Sequence, residues 1–258
     1  MISRVLSCPR RGINPPLAFL TEVTLLGSLP SRLILSPVLV TQALYARRRA
    51  LNLPEPAGPR MGTLGTGPRL RLLIAGDSSA AGVGVDHQDQ ALAGHLVRAL
   101  AADFTVDWRL EATTGATTAQ TLARLRALDA GPFDVAVTAL GVNDVTRQIP
   151  LRRWLAEQAE VAEFLAEAMQ VRAHWRSGLP PMGRFPLLPR PLRDVLGAQA
   201  RAYDTALAAA SVGALRHMPF DETRLNPAMM ARDGFHPGAP IYAAWGQELA
   251  ALIRHEFA

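Results

Sequence analysis

Ser78 sits in Gly76-Asp77-Ser78-Ser79, directly after an apolar run at 71–75. A serine hydroxyl attacks a carbonyl efficiently when a base takes its proton, a third group orients that base, and donors hold the oxyanion that forms. The chain carries candidates for each role. Asp233 and His236 lie three residues apart in Asp233-Gly234-Phe235-His236-Pro237. Within one turn the carboxylate can accept from the imidazole Nδ1 and leave Nε2 free as the base. Asn143, in Gly141-Val142-Asn143-Asp144 after a second apolar run, can aim an amide N–H at the oxyanion. Gly115, in Thr113-Thr114-Gly115-Ala116, can offer a backbone N–H where a side chain would block the substrate. Each has an ordinary explanation when taken alone. Ser78 or Ser79 can cap a helix, Asp233 can cap the last helix, and Asn-Asp and Thr-Gly are common turn formers. The other histidines are poorer bases: His95 and His255 fall in helical segments, and His87, His174 and His217 lack a carboxylate at comparable spacing.

The elements that must position these groups alternate. Residues 71–75 read as a buried strand and 90–102 as a helix, with Leu92, Leu96 and Leu100 on one face. Strands follow at 104–112, 133–140, 170–177 and 213–218, and helices at 117–128, 150–169, 192–211 and 237–257. Strands separated by helices imply a parallel sheet covered on both faces, which binds its ligand at the carboxyl ends of the strands. Ser78, Gly115 and Asn143 each follow a strand, and Asp233 and His236 enter the last helix. Four distant segments are therefore expected to meet on one edge of the sheet.

Taken together these residues resemble the SGNH hydrolases, also called GDSL-type esterases and lipases, over about residues 70–257. The family's blocks appear in order as Gly76-Asp77-Ser78, Gly115, Gly141-Val142-Asn143-Asp144 and Asp233-Gly234-Phe235-His236. One departure is Ser79, which stands where the family name puts leucine. The resemblance implies a three-layer α/β/α, flavodoxin-like sandwich with a mainly parallel five-stranded sheet. It implies Ser78 as nucleophile, His236 as base and Asp233 as third member, with the oxyanion held by the backbone N–H of Ser78, the backbone N–H of Gly115 and the side chain of Asn143.

Composition narrows the alternatives. All 27 basic residues are arginine, so a lysine-dependent phosphate loop and Schiff-base chemistry are excluded. Gly82-Val83-Gly84 follows a strand, but His87 stands where a dinucleotide loop needs its third glycine. Residues 1–71 hold ten arginines against Glu22 and Glu55, a net +8 of the chain's +5, which leaves the body at −3. A nucleic-acid groove in that body is not expected. With Cys8 alone there is no disulfide, and no histidine pair has ligand spacing, so neither metal nor cofactor is expected.

The chain divides into an apolar and basic N-terminal extension at 1–52, expected to be helical, a Pro/Gly-rich linker at 53–68 and a hydrolase domain at 69–258. The apolar stretches at 16–29 and 33–46 are short for a membrane span, and Arg47-Arg48-Arg49 lies on the wrong side of its apolar stretch for a secretory signal. The expected location is the cytoplasm, with residues 16–49 as the segment that would contact a membrane surface. Met182, Phe185 and Leu187, in a proline-rich loop at the active edge, are the expected acyl-chain contacts. The expected activity is hydrolysis of small-molecule carboxylic esters of short to medium acyl chain. An acyltransferase or a carbohydrate deacetylase using the same acyl-enzyme is the alternative.

Overall fold

The computed structural model describes residues 29–49, 51–221 and 225–257. The apolar stretch at 16–29 and Cys8 fall almost wholly or wholly outside them. The second apolar stretch lies within helix α1 (Leu29–Arg49). The body then runs through β1 (Met61–Leu64), β2 (Arg69–Gly76), α2 (Ser78–Ala81), α3 (Leu92–Leu100), β3 (Thr105–Ala112) and α4 (Thr118–Arg126). It continues with β4 (Val135–Ala139), α5 (Val142–Thr146), α6 (Leu151–Glu167), β5 (Ala173–Ser177), α7 (Leu192–Ala209), β6 (Leu215–Met218) and α8 (Ala239–Phe257).

The sheet has six strands in the order β1-β3-β2-β4-β5-β6. The five expected strands are all present and all parallel, and their order is that of a flavodoxin-like sheet. The sixth corrects the strand count. β1 lies in the stretch read as a linker and pairs antiparallel with β3, Met61 opposite Arg109 and Leu64 opposite Val106. All four of its residues are exposed, so this edge strand has no buried face to mark it in the sequence.

Side-chain alternation along the strands feeds two cores. Leu70, Leu72 and Ile74 of β2 point to one face, where Leu92, Leu96 and Leu100 of α3 and Leu249 and Ile253 of α8 cover them. Leu73 and Ala75 point to the other, beneath Leu122 and Leu125 of α4 and Val161 and Leu165 of α6. The result is the three-layer sandwich. A third apolar cluster gathers Trp154, Met182, Phe185, Leu188, Leu196 and Tyr203 under the proline-rich loop. α1 docks on this cluster through Ala46 and Leu39. Gln42, which interrupts its apolar stretch, accepts from the Leu192 N–H at 3.0 Å and so satisfies a free donor at the start of α7. No helix among the described residues is long and apolar enough to cross a membrane.

This topology decides where chemistry can occur. From β2 the chain crosses to β3 on one side and then returns to β4 on the other. The crevice at the carboxyl ends of β2 and β4 is thus the switch point of the sheet. Ser78 follows β2 and Asn143 follows β4.

Candidate active site

β2 ends in a tight turn into α2. Asp77 is the N-cap of that helix; its Oδ1 accepts from the Ser79 N–H at 2.9 Å and from the Ser79 hydroxyl at 2.7 Å. Ser79 is therefore turned back onto its own helix, and the capping role belongs to neither serine. The Ser78 hydroxyl faces His236, with Oγ 2.9 Å from Nε2. His236 Nδ1 lies 2.5 Å from Asp233 Oδ2. Asp233 Oδ1 accepts from the backbone N–H groups of Phe235 and His236, both at 3.0 Å. Burial alone would raise the Asp233 carboxyl, but these hydrogen bonds outweigh it and hold the group below the usual carboxylate range. An ionised Asp233 accepts from Nδ1–H, which fixes the tautomer that leaves the Nε2 lone pair toward Ser78.

Gly82 and Gly84, the apparent glycine motif, serve this arrangement. Gly84 has φ +113°, and a Cβ there would lie 2.2 Å from the Pro237 carbonyl oxygen. The Ser78 segment and the His236 segment pack backbone to backbone at this point, which only glycine permits.

Asn143, the second residue of α5, donates its amide Nδ2 to Asp77 Oδ2 at 3.1 Å. Asp77 is 2% exposed, and burial pushes its carboxyl up, against the hydrogen bonds from Ser79 and Asn143 and the nearby His236. Since Nδ2 carries two hydrogens, Asp77 holds one and leaves the other for a ligand. Asp144 is fully buried and accepts from the Thr118 N–H at 3.2 Å and the Thr118 hydroxyl at 3.1 Å. Trp154 Nε1 and Gln158 Nε2 in turn donate to the Thr118 hydroxyl oxygen, at 3.1 and 3.2 Å. This network joins the start of α4 to α5 and α6 behind the crevice.

Gly115 follows β3 in the neighbouring loop with φ +77°. Its carbonyl accepts from Arg147 Nη2 at 2.8 Å, and the turn is closed by the Ala116 N–H donating to the Thr113 carbonyl at 3.1 Å. The N–H groups of Ser78 and Gly115 donate to no group among the described residues.

An apolar cleft opens beside Ser78 and His236. Leu140, Leu179, Phe185, Phe220, Ile241 and Trp245 are among its walls. Of the three side chains expected to contact an acyl chain, Phe185 lines the cleft. It also packs edge-on against Phe235, which packs edge-on against the His236 ring, with centroids 5.1 and 5.3 Å apart. Met182 does not line it; the side chain is fully buried in the third apolar cluster, where it closes the core beneath the loop. Leu187 is half-buried outside the cleft, with its N–H donating to the Gly234 carbonyl at 3.3 Å. Sequence reasoning missed Leu140 and Leu179, which follow β4 and β5, and also Phe220 after β6 and Ile241 and Trp245 of α8, which only the closed fold brings to this edge.

One histidine also departs from expectation. His217 Nε2 lies 2.9 Å from Asp204 Oδ1, a carboxylate thirteen residues earlier in the chain. Asp204 also accepts from the Leu179 N–H at 2.9 Å, so the pair buttresses the cleft wall.

Residues 74–244 match the GDSL-like lipase/acylhydrolase family. No curated protein matches the chain. Among solved structures, a carbohydrate acetylesterase from Sinorhizobium meliloti is similar at 16% identity and a TM-score of 0.57, covering 73% of this chain and 100% of its own. A psychrotrophic esterase from Pseudoalteromonas sp., in a structure inhibited by monoethylphosphonate, is similar at 19% identity and a TM-score of 0.54, with coverages of 72% and 97%. A lipase from a goat rumen metagenome has 18% identity and a TM-score of 0.56, with coverages of 70% and 96%. At these identities the likeness is one of fold, and it spans the hydrolase domain. The family match spans most of the chain and contains the serine, asparagine, aspartate and histidine segments described above, so this protein belongs to the GDSL-like lipase/acylhydrolase family.

Proposed function

We propose that this protein is a serine esterase that hydrolyses carboxylic esters of short to medium acyl chain through an acyl-enzyme on Ser78. The observation that carries this reading is the unbroken line from Ser78 Oγ through His236 to Asp233, at 2.9 and 2.5 Å, at the mouth of an apolar cleft. His236 Nε2 takes the Ser78 proton as Oγ bonds to the ester carbonyl carbon, and the carbonyl oxygen becomes an oxyanion. The free N–H groups of Ser78 and Gly115 and the second amide hydrogen of Asn143 hold that oxyanion. When the tetrahedral intermediate collapses, the imidazolium gives its proton to the leaving alkoxide, and an alcohol departs. A water then repeats the cycle on the acyl-serine, giving its proton to His236 and leaving a carboxylic acid. Asp233, ionised throughout, holds the ring and stabilises the imidazolium.

The test is a series of p-nitrophenyl esters of rising acyl length on wild type and Ser78→Ala. The variant is expected to retain its fold and lose at least about 10³-fold in kcat. Each methylene that the cleft accommodates is expected to raise kcat/KM about fourfold, from ~0.8 kcal/mol of burial, until the cleft is filled. A Ser78→Ala variant that keeps wild-type turnover, or phosphonate labelling that follows Ser79 instead, refutes the assignment.

A further inference from the structure

The segment between α1 and β2 lies outside the residues that match the family, yet it reaches the oxyanion loop. Ala57 pairs with residues next to α2, its carbonyl accepting from the Gln88 N–H at 2.8 Å. Two residues earlier, Glu55 turns the other way. Its Oε1 accepts from the Thr114 N–H at 2.7 Å and from the Thr114 hydroxyl at 2.8 Å. Its Oε2 accepts from Arg60 Nη1 at 2.9 Å, and the other Arg60 terminal nitrogen donates to the Ala112 carbonyl. A carboxylate and a guanidinium from this strap thus grip the chain at the end of β3 and at the residue before Gly115.

We propose that Glu55 is a positioning residue for the oxyanion donor Gly115. The inference rests on the reading of Gly115 given above. The direction of the Gly115 N–H is set by the peptide planes on either side of it, and each is tied. Arg147 holds the Gly115 carbonyl on the far side, and Glu55 holds the Thr114 N–H on the near side. Gly115 has φ +77°, and a Cβ placed on it would meet only Arg147, 3.9 Å away, so side-chain packing does little to hold the turn. Freedom at glycine must be removed from outside, and the strap supplies half of the restraint. Burial would raise the Glu55 carboxyl, but the two Thr114 bonds and Arg60 outweigh it and hold the group below its ordinary value. The clamp is therefore charged throughout the neutral range.

The experiment compares wild type, Glu55→Ala and Glu55→Gln on p-nitrophenyl acetate, with thermal unfolding and amide hydrogen exchange on the same samples. Glu55→Ala is expected to lower kcat about tenfold with KM within about twofold, because a misaimed donor acts in the transition state more than in substrate binding. Exchange should quicken over 113–116 and stay unchanged across the sheet. Glu55→Gln keeps an oxygen for Thr114 and is expected to recover most of kcat. Wild-type kcat in Glu55→Ala overturns the proposal, as does a kcat loss that tracks a fall in Tm and is not rescued by glutamine. A wild type that neither turns over esters nor is labelled at a serine by a phosphonate refutes the esterase reading instead. The clamp is then decided by exchange alone, and unchanged exchange over 113–116 overturns it.

Discussion

Asp233→Asn separates a positioning role for the carboxylate from a merely structural one, and the structure sets the sign of its effect. Oδ1 of Asp233 accepts two backbone N–H groups at 3.0 Å, and Oδ2 accepts the His236 Nδ1–H at 2.5 Å. Asparagine offers one oxygen and one NH2 group in these places. Turning the NH2 group toward the backbone would break two hydrogen bonds and oppose donor to donor, at about 1 kcal/mol or more for each bond lost. The oxygen therefore stays on the backbone and the NH2 group faces His236. Nδ1 must then accept, the ring proton moves to Nε2, and Nε2 donates to Ser78 Oγ and can no longer take its proton. Forcing the wrong tautomer in this way costs about 10⁴-fold in kcat, near 5.5 kcal/mol of transition-state stabilisation. Both backbone bonds survive, so the histidine segment keeps its shape and Tm should move by no more than a few degrees. The assay is steady-state hydrolysis of p-nitrophenyl acetate beside thermal unfolding. A variant that is fully folded and within about tenfold of wild type in kcat would show that the Nδ1 contact does not govern the base.

Four other outcomes follow from the same structure. Asn143→Ala removes the donor that Asp77 aims, and is expected to lower kcat by about 10²- to 10³-fold with KM changed less than threefold, read from the same ester kinetics. Asp144 has its carboxyl pushed up to about 6, chiefly by burial, from 3.8. A raised acid is most stabilising when protonated in both states and loses ground as pH rises from 3.8 to about 6, so the stability gap between wild type and Asp144→Asn should narrow by roughly 2 kcal/mol between pH 4.5 and 7.5 in urea titrations. A gap that widens refutes the burial argument. Gly246→Ala places a Cβ 2.7 Å from His95 Cβ and 2.9 Å from the Leu96 nitrogen, where α8 presses on α3. Backbone cannot give way there, so the overpacking cost of about 1–3 kcal/mol outweighs the ~1 kcal/mol that alanine gains in a helix, and Tm should fall without loss of kcat. Finally, Val38, Val40, Leu44 and Tyr45 are exposed on α1 beside exposed Arg48 and Arg49. We propose that this face meets an anionic bilayer: the protein should sediment with vesicles containing phosphatidylserine and not with pure phosphatidylcholine, and raised salt should release it.

The alternation of strands and helices was legible because its signals are local. Leu92, Leu96 and Leu100 share one helix face, and β4 is apolar but for Thr138, with all five of its residues buried. Even the strand at Ala173–Ser177, with His174 and Arg176 in it, follows the pattern because its polar residues are buried and bonded, His174 to Thr138 at 2.8 Å and Arg176 to Ser211. Boundaries shifted by one to three residues; α4, for instance, begins at Thr118 because Thr117 is its N-cap. What sequence could not supply were contacts made at long range. β1 has no alternation of its own and exists because β3 offers an edge. Glu55 and Pro56 look like linker residues by composition, yet one holds Thr114 and the other lies against Gly82. Met182, Phe185 and Leu187 are alike in type and close in the chain, and only the path of the loop sends Phe185 to the cleft and Met182 to the core.

The choice between Ser78 and Ser79 shows most clearly where residue types stop and geometry begins. Both hydroxyls follow the same strand, and either can cap a helix, so type and spacing treat them alike. Asp77 breaks the tie. As the N-cap it takes both the N–H and the hydroxyl of Ser79 on Oδ1, which leaves Ser79 bonded within its own turn. Its second oxygen takes Asn143, so one buried carboxylate both removes the competing hydroxyl and aims the amide across the switch point of the sheet. The two acceptor oxygens have separate tasks, and burial pushes the Asp77 carboxyl up. The three donors on it and His236 nearby oppose that push. Loss of either Ser79 or Asn143 should therefore raise the Asp77 carboxyl further, because Asp77 is bonded to both.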